Sequence, residues 1–160
     1  MKKIKYFLVI ILSLFTFMAS SVNAQLIEKK TLSLELAKKI AEVAEAEAIK
    51  NNWSVVISIV DDGGNLVYLC RMDNTQIGSI EVSIQKARTA IFFKRPTKVF
   101  EDMVAGGRNA ILSLPGVLPV EGGMPLNLKD QIIGAIGISG AKSNVDGIVA
   151  KAAADFMSGL

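Results

Sequence analysis

Hydrophobic positions in the last third of the chain follow first a strand pattern and then a helix pattern. Residues 132–138 carry four isoleucines in a short run that ends at Ser139 and Gly140, which is typical of a buried strand. Residues 145–156 then place apolar side chains at helical spacing. Ser143 is followed three residues later by Asp146, and this capping-box pattern predicts where the helix begins.

Glycines recur every third residue in this strand, at Gly134, Gly137 and Gly140. Their spacing is not GxGxxG, so we do not interpret them as a dinucleotide fingerprint. Glycine inside a strand marks a place where a ligand, a helix or a second subunit lies against bare backbone. Just upstream, residues 120–128 are joined to the strand by a short polar link, which predicts a hairpin.

The remaining pattern predicts further helices and a second hairpin. The first helix is capped by Ser33 and ends at Asn51–Asn52, and strands follow at 55–60 and 66–72 around an Asp- and Gly-rich turn. A helix at 75–93 comes next, and then a shorter helix capped by Thr97 that runs through Val104. A loop interrupted by prolines is predicted at 108–119. Hairpins that alternate with helices predict an antiparallel sheet with helices packed on its faces, the α+β class.

The amino terminus has the organisation of a secretory signal peptide. A basic leader precedes an apolar run from Tyr6 to Met18, and Val22–Asn23–Ala24 supplies small residues where a signal peptidase reads. The run is shorter than the roughly 20 apolar residues that cross a bilayer. We expect residues 1–24 to be removed between Ala24 and Gln25. The product would be a periplasmic or secreted single domain of residues 25–160, without stable membrane association.

Removal of this leader changes the charge of the protein. The full chain has 18 lysines and arginines against 15 acidic residues, but three of those lysines precede Tyr6. The mature chain therefore carries fifteen charges of each sign. The basic pI of the precursor, near 9.0, comes from the leader and gives no support to nucleic-acid or acidic-membrane binding.

The chain contains no histidine, which excludes the Ser/His/Asp triad, the commonest general base and the commonest metal ligand. It also lacks CxxC, HExxH, EF-hand and P-loop motifs. The pair Asp61–Asp62 is explained by turn chemistry. Cys70, the single cysteine, permits no internal disulfide and is interpreted as a buried small hydrophobe. We therefore expect no enzyme and identify no metal ligands.

Several motifs resemble one known family. GGMPL (122–126) followed by IIGAIGISGAKSNVDGIVAKAA (132–153) is similar to the carboxy-terminal signature of the GlcG/HbpS family, which includes the carboxy-terminal domain of PduO-type proteins. The resemblance continues upstream in VVISIVDDGGNLVYLCRMD (55–73) and SIQKARTA (83–90), so it covers nearly all of the chain after residue 30. It implies a profilin-like, five-stranded antiparallel sheet between helical layers, and a homo-oligomer.

The resemblance also implies haem or a related tetrapyrrole as the ligand. A pocket for such a ligand needs apolar walls and cations for its propionates. Possible walls are Met72, Phe92, Phe93, Met103 and Met124, and possible cations are Lys86, Arg88 and Arg108. Because histidine is absent, iron would have to be held by Met, Tyr, Cys or Lys, or without a strong axial bond.

We place the predicted site where the second helix meets the GGMPL hairpin and the turn after the last strand. Glycines would admit a flat ligand, the helix start at Ser143 would face an anionic group, and Arg88 would make a forked contact to a carboxylate. The predicted ligand-binding residues are Lys86, Arg88, Phe92, Gly122, Gly123, Met124, Pro125, Ser139 and Gly140.

Three functions remain open at this point. The protein could be an exported haem- or tetrapyrrole-binding protein, or it could bind another small organic molecule or a partner protein with the same fold. It could also serve interaction alone, with the glycine-bearing strand and GGMPL forming a subunit interface. The ligand, the pathway and the oligomer size do not follow from the sequence.

Overall fold

The computed structural model describes residues 28–159, so the predicted leader and cleavage site lie outside the described residues. The helices are α1 (Leu34–Lys50), α2 (Ser79–Phe93), α3 (Lys98–Ala105) and α4 (Ser143–Ser158), with a 3₁₀ helix at Asn109–Ser113. The strands are β1 (Val56–Asp61), β2 (Leu66–Arg71), β3 (Gly123–Leu128) and β4 (Gln131–Ser139).

The strands form one antiparallel sheet in the order β2-β1-β4-β3. Each hairpin contributes one central and one edge strand, and β1 pairs with β4 at the centre. Residues 28–159 thus contain four strands, whereas five were expected from the resemblance. The hydrophobic pattern itself holds only two hairpins, and the segment between α3 and β3, with Pro115 and Pro119, adds no strand. The α+β class is confirmed.

One face of the sheet is covered by α1 and α4, which bury the main hydrophobic core against β1, β3 and β4. Alanines on both helices, such as Ala44 and Ala153, are fully buried. Small side chains at these positions let the two helices lie close to the sheet and to each other.

The opposite face is covered by α2, which lies directly on the backbone of β4. A side chain at Gly137 would begin 1.9 Å from the Ser83 carbonyl oxygen of α2. The hydroxyls of Ser58 and Ser83 are hydrogen-bonded at 2.6 Å across the same contact. The expectation that a strand glycine marks close approach by a helix is confirmed at Gly137.

Local signals located most element ends, although some caps differ from the prediction. Ser33 caps α1 by accepting a hydrogen bond from the Leu36 N–H at 3.2 Å, as predicted. The second helix begins at Ser79 instead of residue 75, because Thr75 is buried and its hydroxyl donates to the Val55 carbonyl. Part of the predicted loop at 108–119 forms the 3₁₀ helix.

Thr97 was predicted to cap α3, but its side chain makes no capping hydrogen bond. Its hydroxyl instead accepts a hydrogen bond from the Gly123 N–H at 2.9 Å. The capping box at α4 is also wrong in its contacts, although the helix begins where it predicted. Lys142 occupies the capping position. The Ser143 hydroxyl bonds to Glu101 on α3, and Asp146 accepts from Lys86 on α2 and from the Ala141 N–H just before the helix. None of the described helices has the length and apolarity required to cross a bilayer.

Candidate functional site

Lys86 and Asp146 form an ion pair inside the protein, with side chains only 1% and 2% exposed. The Lys86 Nζ lies 2.8 Å from Asp146 Oδ2 and also donates to the Ile138 carbonyl at 3.0 Å. The other carboxylate oxygen accepts a hydrogen bond from the Ala141 N–H. Burial raises the pKa of the Asp146 carboxyl, and the hydrogen bond from Lys86 opposes that shift. The pair joins α2 to β4 and α4, and the charge of Lys86 is therefore paired with a carboxylate of the protein itself.

The glycines of GGMPL pack around this pair. A side chain at Gly122, whose φ is 126°, would begin 2.7 Å from the Ile138 carbonyl oxygen and 2.9 Å from Lys86 Nζ. One at Gly123 would begin 2.3 Å from the Lys86 carbonyl oxygen. The structure therefore brings Lys86, Gly122 and Gly123 together, as the sequence suggested. Protein atoms fill the space that a flat ligand was expected to occupy.

The other predicted residues of the two hairpin strands also belong to the interior. The Ser139 hydroxyl is buried and bonds to the Ser79 hydroxyl at 3.2 Å. Gly140, with φ of 153°, packs against the chain just before β1. Met124 packs against the core on the α1 and α4 side, and Pro125 is buried. These side chains support the fold around the Lys86–Asp146 pair.

Arg88 and Phe92 lie together on the outer surface of α2, four residues apart. The Arg88 Nε donates to the Gly64 carbonyl at 3.1 Å, and its other guanidinium nitrogens make no hydrogen bond within the described residues. The Phe92 ring is 52% exposed and lies against Gly64 and Gly116. Thr89 fixes the Gly116 loop, because its hydroxyl donates to the Gly116 carbonyl. We call Arg88 and Phe92 the α2 surface pair.

Carboxylates already face the start of α4. Glu101 accepts a hydrogen bond from the Ser143 hydroxyl at 3.1 Å and another from the Glu121 N–H. Burial raises the pKa of the Glu121 carboxyl, and the charges of Glu101 and Asp102 add to the effect against the opposing charge of Lys98. This helix start was expected to face an anionic ligand group, but a protein carboxylate takes that position.

A cavity of about 400 Å³ opens at the end of the sheet where both hairpin turns lie. We call it the lysine cavity. It is lined by Lys29, Lys30, Asp62, Ile91, Lys94, Asp130, Gln131 and Ile132. Sequence reasoning did not find it, because its lining comes from four separate segments whose proximity depends on the topology of the sheet.

A second cavity, of about 410 Å³, lies beside β2 and includes Cys70 and Met72. Cys70 was interpreted as buried, but it is partly exposed here because β2 is an edge strand. Burial raises the pKa of its thiol, and the negative charge of Glu45 adds to this shift. The thiol is therefore protonated at neutral pH and a poor nucleophile.

The predicted apolar walls do not converge on one pocket. Met72 and Met124 pack against the core on the α1 and α4 side, whereas Phe92 is on the outer face of α2. Phe93 makes an edge-to-face contact with Phe100. Within residues 28–159, no group of three or more Cys, Asp or Glu side chains is arranged to hold a metal ion.

The chain is similar to several known proteins. Residues 32–155 match the family described as "Haem degrading protein HbpS-like". Protein GlcG of Escherichia coli K12 is 46% identical over 111 residues, which cover 69% of this chain and 83% of GlcG.

Solved structures are similar over most of the chain. The Klebsiella pneumoniae protein ORFY is 31% identical, with a TM-score of 0.78 over 88% of this chain and 99% of that protein. The PduOC:heme complex is 29% identical, with a TM-score of 0.70 over 79% of this chain and 94% of the other.

Proposed function

Because the chain belongs to the HbpS-like family, GlcG included, we propose that it is an exported protein that binds haem or a related tetrapyrrole without transforming it. One similar solved structure is the PduOC:heme complex, which supports this ligand class. The absence of histidine and of any catalytic motif supports a binding role. The predicted leader supports export.

The observation that carries the proposal is the α2 surface pair. A tetrapyrrole has a flat apolar face and carboxylates at one edge. The exposed ring of Phe92 offers a stacking surface, and the guanidinium of Arg88 suits a carboxylate at hydrogen-bonding distance. The two residues lie on one helical face, so a single ligand would reach both.

The side chains present can contact the carboxylate edge and the flat face of haem better than they can bind its iron. Cys70 on β2 and Met72 just after it line a cavity beside that strand, whereas Arg88 and Phe92 lie on α2. We therefore propose that stacking and carboxylate pairing hold the ligand, with no strong axial bond from α2. Haem supplies the iron chemistry when it is bound, and these residues supply orientation and charge.

A haemin titration of the mature protein, followed by the Soret band, tests this proposal. We expect a saturable shift that Arg88→Ala weakens by about 1.5–3 kcal/mol, the range for a charge-assisted hydrogen bond. Arg71→Ala is the matched control, because Arg71 also donates to a backbone carbonyl but lies on β2. Equal affinity of Arg88→Ala and wild type, with circular dichroism unchanged, would remove Arg88 from the site.

The family description includes haem degradation, so the same complex tests the non-catalytic part of the proposal. The haemin complex is incubated with ascorbate and oxygen, and the Soret absorbance is followed over several equivalents of haemin. We expect no faster loss than with free haemin. Multiple-turnover loss would show a haem-degrading enzyme and overturn the binding-only role.

We also propose that the mature protein is a homo-oligomer. The support is that β2 and β3 are the edge strands of the sheet, since small folds with sheet edges commonly pair about a two-fold axis. Light scattering at micromolar concentration measures the mass directly. A mass equal to one mature chain would contradict the proposal.

Two alternatives to haem binding remain: another small organic ligand, or a role in interaction alone.

A further inference from the structure

We propose that the lysine cavity is a binding site for a small organic monocarboxylate with an apolar body. The cavity has a volume of about 400 Å³, within the range of roughly 300–1,000 Å³ that small-molecule sites occupy. This inference goes beyond haem binding, because it concerns a different set of residues and a ligand without iron.

The walls of the cavity are held in place by contacts between distant segments. Lys29 Nζ lies 2.7 Å from Asp62 Oδ2 in the β1–β2 turn. The Lys30 N–H donates to the Gln131 side-chain oxygen at the start of β4. Leu32, two residues further on, is buried in the core and anchors this segment. The opening is therefore enclosed between both hairpin turns and the end of α2.

The lining combines an apolar wall with a surplus positive charge. Ile91 and Ile132 belong to the apolar cluster between α2 and the sheet. Lys29 is already neutralised by Asp62, whereas Lys30 and Lys94 have no ion-pair partner within the described residues. The remaining carboxylate of the lining is Asp130, so one positive charge is left over. That balance suits one anionic group on an apolar molecule.

Two unfavourable features lie at this cavity, namely repulsion between like charges and a left-handed backbone conformation at Lys94. Lys30 and Lys94 place like charges around one opening, and their repulsion is relieved when an anion lies between them. Lys94 also has a left-handed backbone, with φ of 52°, at the end of α2 where glycine is the usual residue.

Binding is tested by NMR titration of the mature protein with benzoate and with benzamide, its neutral counterpart of similar size. We expect saturable shifts of the Ile91, Lys94 and Ile132 amides with benzoate. Benzamide should bind about two- to five-fold more weakly, the range expected for one partly exposed charge contact. Affinity for benzoate should fall as salt is added.

Lys94→Gly and Lys129→Gly are matched variants. Both lysines are exposed and have nearly the same backbone, with φ of 52° and 53°, but Lys129 is not part of the cavity lining. Both substitutions remove one charge and relieve the same strain. We expect Lys94→Gly to weaken benzoate binding about two- to five-fold and Lys129→Gly to change it less than about two-fold.

Three results would overturn the proposal. The first is an absence of saturable benzoate shifts at these amides. The second is equal binding of benzamide, which would mean that the lysines do not select for charge. The third is an equal effect of the two variants, which would attribute binding to the overall charge of the protein. Lys94→Gly should keep the wild-type circular dichroism, so loss of binding would not reflect unfolding.

Discussion

Lys86 shows how a basic residue becomes part of a protein interior. Lys86 was predicted to be a cation for the propionates of a ligand, yet its side chain is buried with Asp146. Two desolvated charges are tolerated only when their hydrogen-bonding groups are satisfied, and here the Ile138 carbonyl and the Ala141 N–H complete the set. No buried side-chain polar atom of the described residues lacks a hydrogen-bond partner.

We expect Lys86→Met to destabilise the protein by about 3–5 kcal/mol, since it leaves the Asp146 carboxylate buried without its partner. Urea unfolding followed by circular dichroism measures this change. Lys151→Met is the control, because Lys151 pairs with Asp155 on the surface, where both side chains are more than half exposed. The control should cost less than about 1 kcal/mol. Equal costs for the two variants would contradict this account.

Glu121 is a second residue whose surroundings disfavour its charge. Its pKa is raised above the ordinary value of 4.5 by burial and by nearby carboxylates. The folded state therefore binds a proton more tightly than the unfolded chain does. That contribution to stability is fully present below the unfolded pKa and is lost as pH rises through the folded pKa.

We expect Glu121→Gln to be more stable than wild type at about pH 7, because the substitution removes a charge that the fold disfavours. The two proteins should converge at about pH 4, where wild-type Glu121 is protonated. Urea unfolding at both pH values measures the difference. Glu35→Gln is the comparison of opposite sign, since Lys39 lowers the pKa of Glu35 by hydrogen bonding. A Glu121→Gln protein that is less stable at neutral pH would contradict this account.

At the scale of elements, the distance between α2 and the sheet is set by a missing side chain. Gly137 lets the backbone of α2 at Ser83 and Ala87 touch the backbone of β4. The same helix meets β3 at Gly123, where the Lys86 carbonyl occupies the space of a side chain. The strand glycines of the family motif therefore explain how closely this helix packs.

We expect Gly137→Ala to destabilise the protein by about 3 kcal/mol, the upper part of the range for overpacking a core. The added methyl cannot be accommodated unless α2 moves as a unit. Gly78→Ala is the control, because no atom lies within 4 Å of a side chain built there. It should be neutral or slightly stabilising, and thermal unfolding compares the two. A tolerated Gly137→Ala would mean that α2 shifts easily on the sheet.

Element types followed from the sequence, because hydrophobic periodicity is a local property. The strand runs predicted at 55–60, 66–72 and 132–138 appear as strands with ends within a few residues of those predicted. The hydrogen-bond partners of individual side chains could not be predicted from the sequence. Thr97 and Ser143 bond to residues 26 and 42 positions away and make no local cap with their side chains. Asp146 bonds to Lys86, 60 positions away, with one carboxylate oxygen and to the Ala141 N–H with the other.

Some features of the candidate site could likewise be predicted from the sequence, and others could not. Arg88 was predicted to contact a ligand carboxylate, and the structure places it on the α2 surface with Phe92. The glycines of GGMPL were predicted to admit a flat ligand, but in the structure Lys86 of α2 lies against them. The lysine cavity needs both hairpin turns to meet, and no local pattern carries that information.

At the scale of the whole molecule, the proposed export would leave a chain with balanced charge. The leader holds the three lysines that make the precursor basic, and the remaining lysines, arginines, aspartates and glutamates are equal in number. We expect amino-terminal sequencing of the exported protein to begin at Gln25, because Val22–Asn23–Ala24 presents small residues to the peptidase. A stable exported protein that begins at Met1 would contradict this.

The strand order β2-β1-β4-β3 has a consequence for the order of events in biosynthesis. The first hairpin is local, but β1 acquires its second neighbour only when β4, near the end of the chain, is available. Contacts so far apart in sequence form slowly. The β4 segment must therefore be synthesised before β1 can pair on both sides. For a precursor exported as we propose, this delay leaves the chain unfolded, and so able to pass through the translocation machinery that has already bound its amino terminus.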